Sequence, residues 1–172
     1  MTHRRLLGVC FLFIVALVCA AVIVIVDQVT KLAVVNTVKP VGSVTVIKNI
    51  LDFTYVENRG AAFGMMQNKR WLFIICTAAA IILMICYLIY KKSDSKLFNL
   101  SFAFIIGGGI GNLIDRVLYG YVVDFLSLSF FPPVCNIADY FVTAGTVMLI
   151  IYIFFFSDFL KDKDKKPAKA DE

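Results

Sequence analysis

Four aspartates, Asp27, Asp115, Asp124 and Asp139, are the residues of this chain best placed to do chemistry, because they lie beside long runs that exclude charge altogether. An ionisable group at membrane depth costs roughly 2.5–3.5 kcal/mol even on the mildest insertion scale, so each one asks for a reason. Carboxylate chemistry is also what survives elimination. The 172 residues hold a single histidine, His3, which disfavours Ser-His-Asp hydrolases, Cys-His proteases and His-Glu-x-x-His zinc proteases. Cys10, Cys19, Cys76, Cys86 and Cys135 form no Cys-x-x-Cys pair, and four of them sit inside apolar runs. That argues against a disulfide framework and a thiol oxidoreductase. Ser127 and Ser129 have no lysine in their loop to serve as a base.

Each acid has a structural reading beside the chemical one. Asp27 and Lys31 stand at i and i+4, which is either a helix-end ion pair worth a few tenths of a kcal/mol or part of a site. Asn112, Asp115 and Arg116 share a helix face, and Arg116 offers a planar donor fork to a carboxylate or phosphate. Adjacent Asp115 and Arg116 read first as a structural pair or a headgroup anchor. Asp124 stands in the apolar run Val122–Phe125, with no lysine or arginine between Val117 and Ala138. Asp139 closes Asn136-Ile-Ala-Asp139, which also has the form of a capping box at a helix start. Were Asp124 and Asp139 to meet, they would share one proton, one pKa rising, so that one could activate water while the other protonates a leaving group. Spacing alone does not bring them together.

The elements that must position these residues are membrane helices. Sixty percent of residues are hydrophobic and 17% charged, with a mean hydropathy of +0.86, against about half and about a quarter in a soluble domain. Uncharged runs cover 6–26, 71–90, 97–114 and 140–157, and about 20 residues cross a hydrocarbon core of about 30 Å. The last two runs reach full length by extending to Asp115 and Asp139. The expected spans are therefore 6–26, 71–90, 97–115 and 139–158, within one membrane-embedded domain over 1–160. The first run is longer than the core of a signal peptide and reads as a retained span.

Arg4, Arg5, Lys91, Lys92, Lys96 and the five lysines after position 160 fall on one side of this topology; Lys31, Lys39, Lys48, Arg59, Lys69, Arg70 and Arg116 fall on the other. The positive-inside rule puts both termini in the cytoplasm and the segments 27–70 and 115–139 outside. The net charge of +5 reads as this topology rather than as a nucleic-acid surface, since no basic stripe interleaves with aromatics. Residues 38–56 are rich in β-branched and aromatic residues broken by turn signals, which predicts a small β-rich outer loop, with a turn at Glu57–Gly60. Residues 161–172 mix lysines and acids and read as a disordered cytoplasmic tail. Ala103, Gly107 and Gly111 form a small-residue stripe for close helix packing rather than a phosphate loop. No internal repeat supports an inverted-repeat transporter.

Five motifs in order, Asp27-Gln-Val-Thr-Lys31, Asn58-Arg-Gly-Ala-Ala-Phe-Gly64, Gly111-Asn-Leu-Ile-Asp-Arg116, Val122-Val-Asp-Phe125 and Asn136-Ile-Ala-Asp139, resemble those of the lipoprotein signal peptidases, the signal peptidase II family. The resemblance covers all but the tail. It implies an all-α integral membrane fold of four spans with a small β-rich outer subdomain. It implies an aspartic endopeptidase that cleaves diacylglyceryl-modified prolipoproteins just before the lipidated cysteine, with Asp124 and Asp139 as the dyad. Asn58, Gly60, Asn112, Arg116 and Asn136 then match positions that orient the dyad or grip the peptide, with Asp27 and Lys31 in support. No metal or organic cofactor is implied; the partners are prolipoproteins and membrane lipids, and the enzyme is expected to act as a monomer, without nucleic acid, in the bacterial cytoplasmic membrane.

Two features depart from the family pattern: Cys135 stands where phenylalanine is common, and the interval from Asp124 to Asp139 is short, with Phe130-Phe131-Pro132-Pro133 in it. On the mechanism implied, the substrate helix slides laterally between the spans, and residues 38–56 with 58–66 fold over it. Two other classes compete. A non-enzymatic membrane protein using carboxylates for proton, ion or lipid handling predicts acids at mid-span, and a Ser-Lys signal peptidase predicts a large soluble catalytic domain.

Overall fold

The structure is a computed structural model and describes residues 3–60 and 69–156, with the side chains of residues 3–5 excepted. The tail expected to be disordered, and the part of the second motif between Ala61 and Gly64, lie outside the described residues, as do residues 61–66 of the segments expected to cover the substrate. The chain runs α1 (His3–Thr37), β1 (Ser43–Ile47), β2 (Leu51–Asn58), α2 (Arg70–Lys91), α3 (Lys96–Leu118), β3 (Val122–Leu128), β4 (Phe131–Cys135) and α4 (Ile137–Ile151), which continues as a π turn over Tyr152–Phe156. Among the described residues four helices are long and apolar enough to cross a membrane: Leu6–Thr37, Arg70–Lys91, Lys96–Leu118 and Ile137–Phe156.

The first helix is longer than its uncharged run. Its 35 residues extend about 52 Å at 1.5 Å per residue, well beyond a hydrocarbon core of about 30 Å. The helix passes straight through Asp27 because Lys31, one turn on, pairs with it at 2.8 Å. The surplus length becomes a post for the sheet. Val34 on this extension and Val38 in the turn just after it bury against Val123 and Phe125 of β3, with Phe53, Tyr55 and Ile137 packed around them. Phe53 meets Phe125 edge-on at 5.7 Å between centroids, and burying a side chain such as Phe125 stabilises by roughly 1.5–3 kcal/mol.

The expected strands form: β1 and β2 are a hairpin whose turn holds Asn49 at φ 61. They are half of a larger sheet. β3 and β4 add to β2 in the order β1-β2-β3-β4, all antiparallel, although two membrane helices separate β2 from β3 in the chain. Pro132 and Pro133 lie in β4, the edge strand, where a missing N–H is tolerated.

Helix α3 is the hub, packed against α1, α2 and α4. Small residues let it approach. A Cβ on Gly107 would stand 2.9 Å from the Ala20 carbonyl, and one on Gly111 would stand 2.5 Å from Asp27 Oδ2. The small-residue stripe is thus a packing device, and at Gly111 it also makes room for a carboxylate. The start of α4 carries the capping box its sequence announces: Asn136 Oδ1 accepts from Asp139 N at 3.0 Å, and Asp139 Oδ2 accepts from Asn136 N at 3.1 Å. Such a cap is worth about 1 kcal/mol.

Candidate active site

Side chains alternate along a strand, so Val123 and Phe125, facing α1, leave Asp124 pointing the opposite way. That face of β3 meets the sheet-side ends of α3 and α4. Register brings Asn58 there as well. Val56 pairs with Asp124 and Asn58 with Val122, so Asn58 is the diagonal neighbour of Asp124, within side-chain reach. Asn112 and Asp115 come from adjacent turns of α3, Asp139 from the first turn of α4, and Asp27 and Lys31 from α1.

Two amides span the interval between Asp124 and Asp139. Asn136 Nδ2 donates to Asp124 Oδ1 at 2.6 Å and to Asn112 Oδ1 at 3.1 Å. Asn112 Nδ2 in turn donates to Asp139 Oδ1 at 2.8 Å. The other oxygen of Asp124 accepts from Asn58 Nδ2 at 2.8 Å. Asn58 also accepts from Gly60 N at 3.0 Å, which closes the turn after β2. Arg116 leans over this turn, with Nη2 donating to Gly60 O and Nη1 to Asn112 O, both at 3.4 Å, and its guanidinium lies over the Phe73 ring.

Behind the amides lies a buried ionic cluster. Lys31, 3% exposed, places Nζ 2.8 Å from Asp27 Oδ2, 3.0 Å from Asp115 Oδ2 and 3.0 Å from Asn112 Oδ1. An ammonium has three N–H donors, and these three acceptors use them all. Asp27 Oδ1 accepts from Ala138 N at 3.1 Å in the first turn of α4, where the helix dipole favours an anion. Asp115 Oδ2 accepts from Val123 N at 3.0 Å. The cluster therefore joins α1, α3, α4 and β3 at one point. Among the described residues no buried side-chain nitrogen or oxygen lacks a partner, which matters because a half-satisfied buried network costs more than an apolar core.

The two dyad candidates differ in setting. Asp124 is 2% exposed and Asp139 is partly open. Burial pushes the Asp124 carboxyl up to about 7, with the charge of Asp139 adding to the rise and the Asn58 and Asn136 donors opposing it. Asp124 therefore keeps its proton to higher pH than an ordinary carboxyl does. Burial, with Asp139 and Asp124 nearby, pushes the Cys135 thiol up to about 11. It stays protonated, and so is no thiolate nucleophile.

All ten polar residues and glycines singled out in the sequence for the site, Asp27, Lys31, Asn58, Gly60, Asn112, Asp115, Arg116, Asp124, Asn136 and Asp139, lie in this one constellation. Asp115 and Arg116, adjacent in sequence and read first as a pair, diverge: one turns to Lys31, the other to Gly60. Two participants went unread. Gln28 Nε2 donates to Asp27 Oδ2, Gly111 O and Asp115 Oδ1 at 3.2, 3.1 and 2.9 Å; its place inside the first motif was the available signal. Arg70 donates from Nε and Nη2 to the carbonyls of Arg116 and Val117, each at 2.7 Å, closing the end of α3. Backbone partners leave no mark in side-chain spacing, so sequence offers no signal for it.

A four-helix membrane bundle bearing this sheet and this carboxylate and amide cluster has known counterparts. One solved structure, a bacterial membrane enzyme determined by the in meso method at 2.3 Å, superposes with a TM-score of 0.76 at 33% identity, covering 91% of this chain and 94% of that one. A second, determined at 1.9 Å, gives 0.76 at 34% identity over 83% and 94%. The lipoprotein signal peptidase of Caldanaerobacter subterraneus subsp. tengcongensis is 49% identical over 134 residues, 78% of this chain and 92% of that protein. That of Clostridium acetobutylicum is 42% identical over 154 residues, 87% and 96%. The family model for signal peptidase (SPase) II matches residues 19–155, a stretch that runs from α1 to the π turn and contains every residue of the cluster; the chain belongs to the signal peptidase II family.

Proposed function

We propose that the protein is an aspartic endopeptidase that removes signal peptides from diacylglyceryl-modified prolipoproteins, cutting just before the lipidated cysteine, with Asp124 and Asp139 as its dyad. The observation that carries this reading is the pair of carboxylates bridged through Asn136 and Asn112, one of them pushed up to about 7. A buried carboxyl that keeps its proton to higher pH, set near a more open one, can supply an acid and a base to the same reaction. One carboxylate takes a proton from water as the water oxygen attacks the scissile carbonyl. Its partner protonates the cysteine nitrogen as the carbon–nitrogen bond breaks.

The polar groups around the dyad have matching roles. Asn58 and Asn136 aim Asp124, Asn112 aims Asp139, and the Arg116 guanidinium beside Gly60 is available to a peptide carbonyl. The substrate's acyl chains stay in lipid while its peptide bond reaches the outer membrane surface, where the length of α1 lifts the sheet. The distribution of basic residues supports cytoplasmic termini and an extracytoplasmic site.

Cleavage of purified diacylglyceryl prolipoprotein by the wild type, Asp124→Asn and Asp139→Asn tests the assignment. Each substitution is expected to lower kcat by at least about a thousandfold in detergent-solubilised protein that still melts in a single cooperative transition. Near-normal turnover in either folded variant would refute the dyad. Cleavage of the unlipidated precursor in preference to the lipidated one would refute the substrate.

A further inference from the structure

We infer that Lys31 is a positioning residue that sets the polarity of the Asn112 amide, holding its carbonyl inward so that its N–H points at Asp139. The inference rests on the dyad assignment and gives the buried lysine a task beyond tying helices together. An ion pair with Asp27 and Asp115 alone would use two of the three ammonium donors. The third goes to Asn112 Oδ1 at 3.0 Å, and it lands on the one side chain that bonds Asp139 from α3.

An asparagine amide is nearly symmetric in shape and opposite in polarity at its two ends. In the observed orientation Oδ1 accepts from Lys31 and Asn136, while Nδ2 donates to Asp139. Reversal would set N–H against the ammonium and against the Asn136 amide, and would set the carbonyl oxygen against a carboxylate. Asn136 itself cannot reverse to accommodate this, because its own Oδ1 accepts from the backbone N–H of Asp139 and its Nδ2 is held by Asp124.

Without Lys31 one lock remains, from Asn136, and the attraction changes sides. The Asp27 and Asp115 carboxylates, stripped of their shared cation, become acceptors for the Asn112 N–H group. The amide then turns its donor away from Asp139, and the carboxylate loses the hydrogen bond that aims it at water. The ground-state grip on the substrate is untouched, so the loss falls on kcat rather than KM.

Removing Lys31 alone would leave two buried acids unpaired, so the test uses Asp27→Asn/Lys31→Met. This variant keeps the formal charge of the Asp27, Lys31 and Asp115 cluster at minus one while deleting the donor. On lipidated prolipoprotein in detergent, kcat is expected to fall by at least about tenfold with KM within about twofold. In an Asn112→Ala background the same pair of changes is expected to alter kcat by less than about twofold, because the amide they control is gone. Asp27→Asn/Lys31→Gln, which restores an uncharged N–H donor, is expected to recover most of the lost kcat. Equal losses with and without Asn112, or equal activity of the Met and Gln variants, would overturn the inference. Should the Met variant fail to fold, Asn112→Asp takes its place: it keeps the acceptor for Lys31 and deletes the donor to Asp139, and wild-type kcat in it would overturn the inference equally. Asp124→Asn and Asp139→Asn run alongside, and retained activity in those variants would instead mark failure of the dyad reading.

Discussion

The two ends of the helix bundle are held together by different physics. Away from the sheet, α1, α2, α3 and α4 meet through Ala16, Leu88, Phe98 and Phe102, with Phe98 and Phe102 centroids 4.6 Å apart, Tyr87 stacked on Phe102 at 5.9 Å and Tyr152 against Phe98 at 5.1 Å. Ring and small-residue contacts of this kind are non-directional and tolerate a change of shape that conserves volume. Near the sheet α1, α3 and α4 meet through Asp27, Lys31, Asn112, Asp115 and Asp139, whose buried donors and acceptors all find partners. A matched network has no slack, since removing one partner strands another in a buried place. The far end therefore holds the bundle together, and the sheet end holds it together only in the arrangement that suits catalysis.

Single substitutions in α3 sharpen this contrast. Gly111→Ala should have the largest effect, because its Cβ would stand 2.5 Å from Asp27 Oδ2 and push apart the acid that Lys31, Gln28 and Ala138 hold. A displacement approaching 1 Å near the reacting groups can cost about a hundredfold in kcat, which steady-state cleavage of lipidated prolipoprotein would read. Phe102→Leu, in the aromatic cluster, should lower stability by about 1 kcal/mol and leave kcat within about twofold. A thermal melt beside the same cleavage assay separates the two. Gly109→Ala should do least: two residues from Gly111, its Cβ would lie 3.4 Å from Ile81 Cδ1 on α2, a contact that a side-chain end relieves. Comparable losses of kcat in Phe102→Leu and Gly111→Ala would abolish the distinction between the ends.

Much of this is legible in the sequence, and the illegible parts have physical reasons. Spans, the capping box at Asn136 and the β1–β2 hairpin follow from local pattern. The uncharged run ends at Val26 and the Asp27–Lys31 spacing carries the helix only one turn further, so nothing in the charge pattern marks the last turn of α1, up to Thr37. Strands β3 and β4 were missed for a different reason. Val122–Phe125 is buried on both faces, which removes the alternation that marks a strand, and Pro132-Pro133 argues against one except at an edge. The residues of the candidate site stood out because acids and amides are rare in so apolar a chain. Their mutual geometry did not, since β2 finds β3 across two intervening helices. The roles of Gln28 and Lys31 depend on partners more than 80 residues away.

The pH dependence of kcat/KM on lipidated prolipoprotein, which reports the ionisations of the free enzyme, tests the dyad account most directly. The Asp124 carboxyl, pushed up to about 7, carries its proton below that pH and loses it above, so a dyad that needs one proton is active on the acid side. Activity should fall as pH rises through about 7, and Asn58→Ala, which deletes a donor that stabilises the ionised form, should move that fall to higher pH. A kcat/KM that stays level from about pH 5 to about pH 9, or a fall that Asn58→Ala leaves in place, would contradict a dyad built on Asp124.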